Sequence, residues 1–422
     1  MSDTKNNEPT VVSAQHVATE RILQRCDALA KLSAIPNGIC RTYLGAEHQA
    51  ANQLVAEWME AAGMTVTIDG AGSICGRLGT QDPDAPTLLL GSHLDSIPDA
   101  GRFDGILGVL MGIEAAQALQ STALPFAIDV LGFAEEEGVR FGTTLMTSRA
   151  CAGTWDDTWL ALTDSDGITL ASALEAFGLS PNGINERCSR ADEKLVGYLE
   201  AHIEQGPVLE SLGLPLAVVS SIAGAKRLEV VIDGMAAHAG TMPMNMRQDA
   251  LAAAARAVTA IEDAANAHGV VATVGQIQCE PGGVNVVPGR CTFSIDIRAG
   301  ADQARDAALD AALVQITQIC TARDLKLTVT PLHAASGAAC ATVLQDAIAK
   351  GIAHTGTAIH TMESGAGHDA MALAEICPVG MLFIRCTGGI SHHPDEHVTA
   401  SDVRYALAAF IETIQQLARS RQ

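Results

Sequence analysis

Residues 91–108 read Gly-Ser-His-Leu-Asp-Ser-Ile-Pro-Asp-Ala-Gly-Arg-Phe-Asp-Gly-Ile-Leu-Gly, and no other stretch narrows the fold as far. The run follows Leu88, Leu89 and Leu90, an apolar segment of strand length. His93 and Asp95 therefore fall where a buried strand ends, and Asp104 falls on the loop into the next helix. Open α/β sheets place their chemistry at that edge. One imidazole and two carboxylates on a rigid strand end, with glycines that let backbone approach closely, suit a hard or borderline cation better than an apolar core. Taken alone, a His-x-Asp more often caps a strand and opens a turn. Three later stretches reverse that reading.

At 422 residues the chain exceeds the size at which one core usually stops growing, so two domains are expected. Hydrophobic residues make up 48% and charged residues 18%, a globular balance, and aromatics at 3% leave the packing to Ala, Leu, Ile and Val. A net charge of −22 repels polyanions, so nucleic acid and anionic membrane are not expected as partners and an anionic small substrate needs a local Arg. The 11 cysteines stand singly, without a Cys-x-x-Cys pair, which suits reduced and mostly buried thiols in a cytoplasm. Residues 1–10 are polar with no apolar signal core, and no uncharged apolar run approaches the ~20 residues of a membrane span. A soluble, cytoplasmic protein is expected.

Apolar positions recur at helical spacing over residues 13–32 and 45–62, and strands are predicted over 64–68 and 88–90. An apolar helix follows over 105–120, then a strand over 126–133 that runs into Glu135, Glu136 and Glu137. Three adjacent acids at the end of a buried strand are costly unless something positive sits among them, the bland alternative being a solvated loop. Residues 154–194 read as loop with short helical pieces over 174–176. A strand over 196–203 then ends Ala-His-Ile-Glu-Gln-Gly-Pro, which puts His202 at a third strand end.

From about residue 217 the texture changes. Strands over 228–232, 270–278, 291–297 and 326–330, with helices over 249–268 and 302–322, give β-α-β-β-α-β, a ferredoxin-like split unit inserted into the first domain. His238, Asn285 and Arg298 are its polar candidates, each with a bland counterpart as a turn His, a turn Asn or an Arg on a solvated strand face. The first domain resumes with a helix over 339–353, a Gly-rich turn over 363–369 and a strand over 379–385 that runs into Ile-Ser-His-His-Pro, His392 and His393. Ser401 and Asp402 are expected to cap a last helix over 403–419. The domain division is 1–216, 217–333 and 334–422.

Four of these signals fall at the ends of strands that should lie side by side, and together they describe one site. Two cations about 3.5–4 Å apart share one carboxylate in such centres. His93, Asp104, Glu137, His202 and one of His392 or His393 supply three imidazoles, a terminal carboxylate and a bridging one. That donor set favours Zn and is compatible with Mn, Co or Ni. A spare carboxylate beside a metal-held water is the natural general base, and Glu136 is placed for it. The chemistry is metal-assisted hydrolysis.

In order along the chain, the motifs Gly-Ser-His-Leu-Asp-Ser, Arg-Phe-Asp-Gly, Glu-Glu-Glu-Gly-Val-Arg-Phe, His-Ile-Glu-Gln-Gly-Pro, His-Ala-Gly-Thr-Met-Pro, Asn-Val-Val-Pro-Gly-Arg, Asp-Ile-Arg, Ser-Gly-Ala-Gly-His-Asp-Ala and Gly-Ile-Ser-His span nearly its whole length. This sequence resembles the hydantoinase/carbamoylase branch of the M20 family of dinuclear amidohydrolases and metallopeptidases. That branch includes N-carbamoyl-L-amino acid hydrolases, β-ureidopropionase and allantoate amidohydrolase. The resemblance implies a mixed-sheet, aminopeptidase-like α/β catalytic domain with an inserted ferredoxin-like α+β lid domain through which the protein dimerises. It implies that His93, Asp104 and His202 hold one of two divalent ions and Asp104, Glu137 and His392 the other. Asp95 would orient His93, and Glu136 would be the base. His238 and Asn285 would reach the site across the dimer interface, Arg298 would anchor a substrate carboxylate, and Gln205 and Gly365 would contact substrate. Two departures stand out: the family's Asn-Gly-Gly is Asp99-Ala100-Gly101 here, and Ser-His-His-Pro offers two imidazoles.

The expected function is cleavage of the carbamoyl C–N bond of an N-carbamoyl-L-amino acid, or of a related ureido acid such as allantoate. A peptidase or N-acyl amino acid deacylase of the same fold, and a catalytically silent scaffold, are the competing readings.

Overall fold

The computed structural model describes residues 8–80, 82 and 84–421. Two units emerge: one holds the chain up to Ser220 with Cys340–Met362 and His368–Gln422, the other Ser221–Ala339 with Glu363–Gly367.

The first unit is built on one mixed sheet, whose strands run in the order Thr65–Ile68, Ile74–Leu78, Ala127–Phe133, Thr87–His93, Leu195–Ile203, Val379–Ile384 and Leu216–Ile222. Its four middle strands pair parallel, Ala127–Phe133 with Thr87–His93, that strand with Leu195–Ile203, and Leu195–Ile203 with Val379–Ile384. Buried on both faces, these strands read as largely apolar runs, interrupted by the buried carboxylates Asp129 and Glu200. Leu88, Leu89 and Leu90 are each 0% exposed, and each such side chain stabilises the fold by about 1.5–3 kcal/mol.

The helix Ile106–Leu119 follows directly on the Asp104 loop and is buried almost all round, packed on three of the parallel strands and on the helices Glu8–Leu29 and Ala400–Arg419. Glu114 lies on its buried surface, where Arg21 donates at 2.7 and 2.6 Å and Arg25 at 2.8 Å. A carboxylate in such a place requires that pairing. Arg41 is likewise buried, and its guanidinium donates to the carbonyls of Leu94 at 2.5 Å and Leu29 at 2.8 Å. It thereby ties the end of the Glu8–Leu29 helix to the loop that follows His93 and carries Asp95.

The second unit has strands in the order Ile277–Glu280, Arg290–Ala299, Gly224–Asp233 and Lys326–Ala335, with Val271–Thr273 also paired to Arg290–Ala299. The helices Ala250–His268 and Asp302–Thr321 complete its core, Ala253, Ala254, Ala257, Ile261 and Ala264 forming the buried stripe of the first.

Three local expectations change. The single strand over 270–278 is two pieces: Gly275 interrupts it, and at the break the Ser294 hydroxyl, not a carbonyl, accepts from the Gln276 N–H at 3.1 Å. The last helix starts at Ala400, with Thr399 as its cap accepting from the Asp402 N–H at 3.1 Å. Asp402 is instead a partner of Arg385 at 2.8 Å. Residues 154–194 are more ordered than their polarity predicts: helices Leu170–Phe177 and Ile184–Cys188 share a core with Tyr43, Phe141, Met146 and Trp155. All 11 cysteines are free, and all but Cys75 and Cys279 are buried. Among the described residues, no helix is long and apolar enough to cross a membrane.

Candidate metal centre

Because the four middle strands run parallel, their carboxyl ends share one edge of the sheet, and every loop predicted to carry a ligand leaves from it. His93 is the last residue of its strand, in register with Phe133, and His202 pairs with Phe383. Asp104 arrives on the loop after His93. Gly105, at φ +69°, lets that loop lie against the imidazole, since a Cβ there would overlap the His93 ring.

Asp104 is the centre of the cluster. Its Oδ1 lies 3.1 Å from His202 Nε2 and 3.7 Å from His93 Nε2, and its Oδ2 lies 3.2 Å from His392 Nε2. His392 Nε2 is also 3.5 Å from Glu137 Oε1. Two groups therefore form, His93–Asp104–His202 and Asp104–Glu137–His392, each with ligand atoms within 4.8 Å of one another. His393 belongs to neither group: its Nδ1 accepts from the Asp395 N–H at 3.1 Å, whereas the likewise exposed His392 turns its Nε2 to Asp104.

The donor chemistry fits cations. His93 Nδ1 is 3.1 Å from the Asp95 carbonyl and His202 Nδ1 is 2.9 Å from the Ile203 carbonyl, so in each neutral ring Nδ1 donates and Nε2 presents a lone pair. Those lone pairs face a carboxylate. His202 Nε2, although 3.1 Å from Asp104 Oδ1, is buried without a hydrogen-bond partner of good geometry. Two acceptors so placed need a proton or a cation between them. Burial opposes charge on the His93 ring, yet the neighbouring carboxylates of Asp104, Glu136 and Asp95 lift its pKa well above the ordinary value. Burial likewise works against the Asp104 anion, but the imidazoles of His202, His392 and His93 beside it hold its pKa well below the ordinary value. The pocket thus asks for positive charge, which divalent ions supply directly.

The three acids after Phe133 take different roles. Glu135, at φ +57°, is fully buried, and its Oε1 accepts from the Arg140 and Phe141 N–H groups at 2.9 and 2.8 Å. It organises its own loop. Glu136 and Glu137 face the cluster, grouped with His93. Burial foremost, with the nearby Glu137 and Asp369 charges, pushes the Glu136 carboxyl well above its ordinary range. Asp95 holds both of these acids by the backbone, its two carboxylate oxygens each accepting an N–H at 3.2 Å. It touches His93 through its carbonyl, whereas its carboxylate stays 3.7 Å from Nδ1.

Gln205, at φ +59°, donates from Nε2 to Asp104 Oδ2 at 2.9 Å. The other substrate-contact candidates belong to the second unit. His238 and Asn285 are exposed and joined through a short antiparallel pairing, the Ala239 N–H donating to the Asn285 carbonyl at 2.9 Å. The Arg298 guanidinium is engaged by Asp296 at 2.8 and 3.2 Å and donates from Nη1 to the Gly365 carbonyl at 3.1 Å.

Two residues with no role assigned from the sequence underlie the centre: Glu200, outside every motif, and His368, within Ser-Gly-Ala-Gly-His-Asp-Ala. Glu200, 0% exposed, accepts from the Ser92 hydroxyl at 2.7 Å, the Tyr198 hydroxyl at 3.2 Å and the Ala370 N–H at 3.2 Å, tying together the strands that carry His93 and His202. The His368 ring meets that of His202 edge to face at 4.4 Å. Glu200 had one available signal, a charge inside an apolar strand, which demands buried partners.

Residues 89–416 match the model of peptidase family M20/M25/M40. An N-carbamoyl-L-amino acid amidohydrolase of Geobacillus stearothermophilus is 39% identical over 95% of this chain and 98% of its own length. Allantoate deiminase 1 of Glycine max is 36% identical over 95% of this chain and 90% of its own. Among solved structures, a hydantoinase/carbamoylase family amidase from Burkholderia multivorans superposes with a TM-score of 0.88 at 31% identity, covering 95% of this chain and 98% of that one.

Proposed function

The chain belongs to the M20 peptidase family, in its hydantoinase/carbamoylase branch, and from that premise we propose that it is a metal-dependent amidohydrolase cleaving the carbamoyl C–N bond of N-carbamoyl-L-amino acids. The observation that carries this reading is the division of Asp104, one oxygen toward His93 and His202 and the other toward His392, with Glu136 buried beside the same cluster.

Two divalent ions, Zn first by donor type and Mn, Co or Ni next, would be held by His93, Asp104 and His202 and by Asp104, Glu137 and His392. When bound, such ions polarise a carbonyl and acidify water. Glu136 takes the proton from the attacking water as its oxygen bonds to the carbamoyl carbon, and delivers it to the amino acid nitrogen as the C–N bond breaks. The carbamate left behind falls apart to ammonia and carbon dioxide. Asp95 keeps Glu136 and Glu137 in register through their N–H groups. His238 donates to the developing oxyanion, Arg298 forks the substrate carboxylate, and Asn285, Gln205 and Gly365 complete its contacts. The second unit is read as the lid, and as the surface through which the chain forms a homodimer.

Allantoate is a second candidate substrate, favoured by the allantoate deiminases among the relatives at 36% identity. Protein loaded with Zn²⁺ or Mn²⁺ separates the two when ammonia release from a panel of N-carbamoyl-L-amino acids is measured beside release from allantoate, with dipeptides as controls. We expect a carbamoyl amino acid to give the highest kcat/KM by at least ~10-fold, the net contribution of one hydrogen bond. Faster turnover of allantoate would select that reading, and cleavage of dipeptides alone would overturn both.

A further inference from the structure

Glu396 is outside both ligand groups, yet it joins the loops that carry them. It is 3% exposed. Its Oε1 accepts from the Phe103 N–H at 2.9 Å and from the N–H of Asp104 itself at 3.1 Å. Its Oε2 accepts from the Ser391 hydroxyl at 2.9 Å, and Ser391 Oγ is itself 3.3 Å from Asp104 Oδ2, the side of Asp104 that faces His392. One carboxylate thus grips the backbone of Asp104 from below, and through Ser391 it borders the Asp104 carboxylate and the residue preceding His392.

Gly101 completes the arrangement. Its Cα lies so close to Glu396 that a Cβ there would overlap the Glu396 side chain. This glycine stands in the Asp-Ala-Gly segment and makes room for the clamp. His392 itself adopts φ +56°, a conformation that a non-glycine residue keeps only where its surroundings hold it.

We propose that Glu396 is a positioning residue: by fixing the Asp104 main chain and the Ser391–His392 turn together, it sets the aim of the Asp104–Glu137–His392 ligand group and hence that group's affinity for its cation. The proposal rests on the metal-centre reading above. Carboxylates that orient ligands from behind typically change metal affinity by about 10–100-fold when removed.

The test is a titration of chelator-stripped full-length protein with Zn²⁺ and with Mn²⁺ by calorimetry. It compares the parent with Glu396→Ala, Glu396→Gln, Ser391→Ala and Gly101→Ala, together with melting temperatures of the metal-free proteins and kcat measured against metal concentration. The parent is expected to take up two ions per chain. In Glu396→Ala one of the two sites should lose about 10–100-fold in affinity, with kcat returning to within a few-fold of the parent at saturating metal. Glu396→Gln keeps an acceptor for the two N–H groups and should lose less, Ser391→Ala least, and Gly101→Ala should reproduce the Glu396→Ala titration. A role confined to stability would lower the melting temperature and leave the titration midpoints alone, and that result overturns the proposal. So does a kcat deficit that excess metal does not restore. If Glu396→Ala does not fold, Glu396→Gln and Ser391→Ala decide by the same criteria. A parent that binds neither ion removes the metal-centre reading itself, an outcome distinct from variants that titrate like a two-ion parent.

Discussion

The ligand cluster of the first unit and the polar set of the second differ in how much freedom their side chains have. His93, Asp104 and His202 are 2%, 6% and 2% exposed, and each imidazole is fixed from behind by a carbonyl. His238 and Asn285 are exposed on turns, and Arg298 reaches out from a strand with its fork on Asp296. Groups that must meet a cation within a few tenths of an ångström belong on strand ends, where the sheet fixes the backbone and packing fixes the rotamer. Groups that recognise a substrate tolerate, and use, a looser mount. The comparison makes rigidity a property of chemistry and adaptability a property of recognition.

Stripping the metals tests the rigid side most severely. Exhaustive chelation should abolish turnover, and Zn²⁺ or Mn²⁺ should restore it, because the fixed lone pairs of His93 and His202 have no catalytic use without a cation. Turnover that persists in protein shown by atomic absorption to be metal-free would sink the assignment. The next largest effect belongs to Glu136→Gln, which keeps shape and loses the proton acceptor. Loss of a positioned general base lowers kcat by about 10²–10⁴-fold, and metal content should stay that of the parent. A few-fold loss would move the role of base elsewhere.

Much of the rigid side was legible in the residues. Parallel strands buried on both faces read as continuous apolar runs, so Leu88–Leu90 located the sheet, and the ligands announced themselves as charges placed where apolar runs stop. Glu200 and Glu396 were not legible as members of the site, and Ser391 was visible only as the residue before His392. Their meaning lies in hydrogen bonds across the fold, such as the one between Glu396 and Phe103, whose sequence separation is 293. Pattern cannot report such distances. Asp95 shows the same limit in miniature: spacing predicts that it orients His93, and it does touch that ring, but with its carbonyl, leaving its carboxylate for the N–H groups of Glu136 and Glu137. Gly275 was visible in the sequence, but the break it makes in the strand over 270–278 depends on the Ser294 hydroxyl opposite.

The adaptable side should answer more mildly and with a different kinetic signature. On the proposed mechanism His238→Ala removes a donor to the developing oxyanion, and it should lower kcat by about 10²-fold. Arg298→Ala should act on binding, raising KM by about 10–100-fold, the loss of one charged hydrogen-bonded pair. Arg298→Lys should recover little, since an ammonium cannot fork a carboxylate. If Arg298→Ala instead lowered kcat at unchanged KM, the division between rigid chemistry and looser recognition would fail at its best-placed residue.

The smallest effect isolates the scaffold of the first unit from its ligands. His48 is 2% exposed; its Nδ1 accepts from the Leu44 N–H at 3.0 Å, and its ring stacks on Phe177 at 4.9 Å. Burial foremost, helped by the Arg41 charge, pushes its pKa down to about 3. The unfolded chain, with an ordinary imidazole near 6.5, therefore takes up this proton first as pH falls. Stability from this group is fully present above pH ~6.5 and is lost progressively toward pH 3, by at most ~1.4 kcal/mol per pH unit. All 3 tryptophans, Trp58, Trp155 and Trp159, lie in the first unit, so their fluorescence reports its unfolding alone. In metal-free protein the melting temperature should fall more steeply between pH 6.5 and 4.5 for the parent than for His48→Gln, which keeps an acceptor for Leu44 and has no proton to gain. Equal slopes would mean that the ring already carries its proton in the folded state, and a scaffold that tolerates a buried charge there could not be the rigid one the ligand geometry requires.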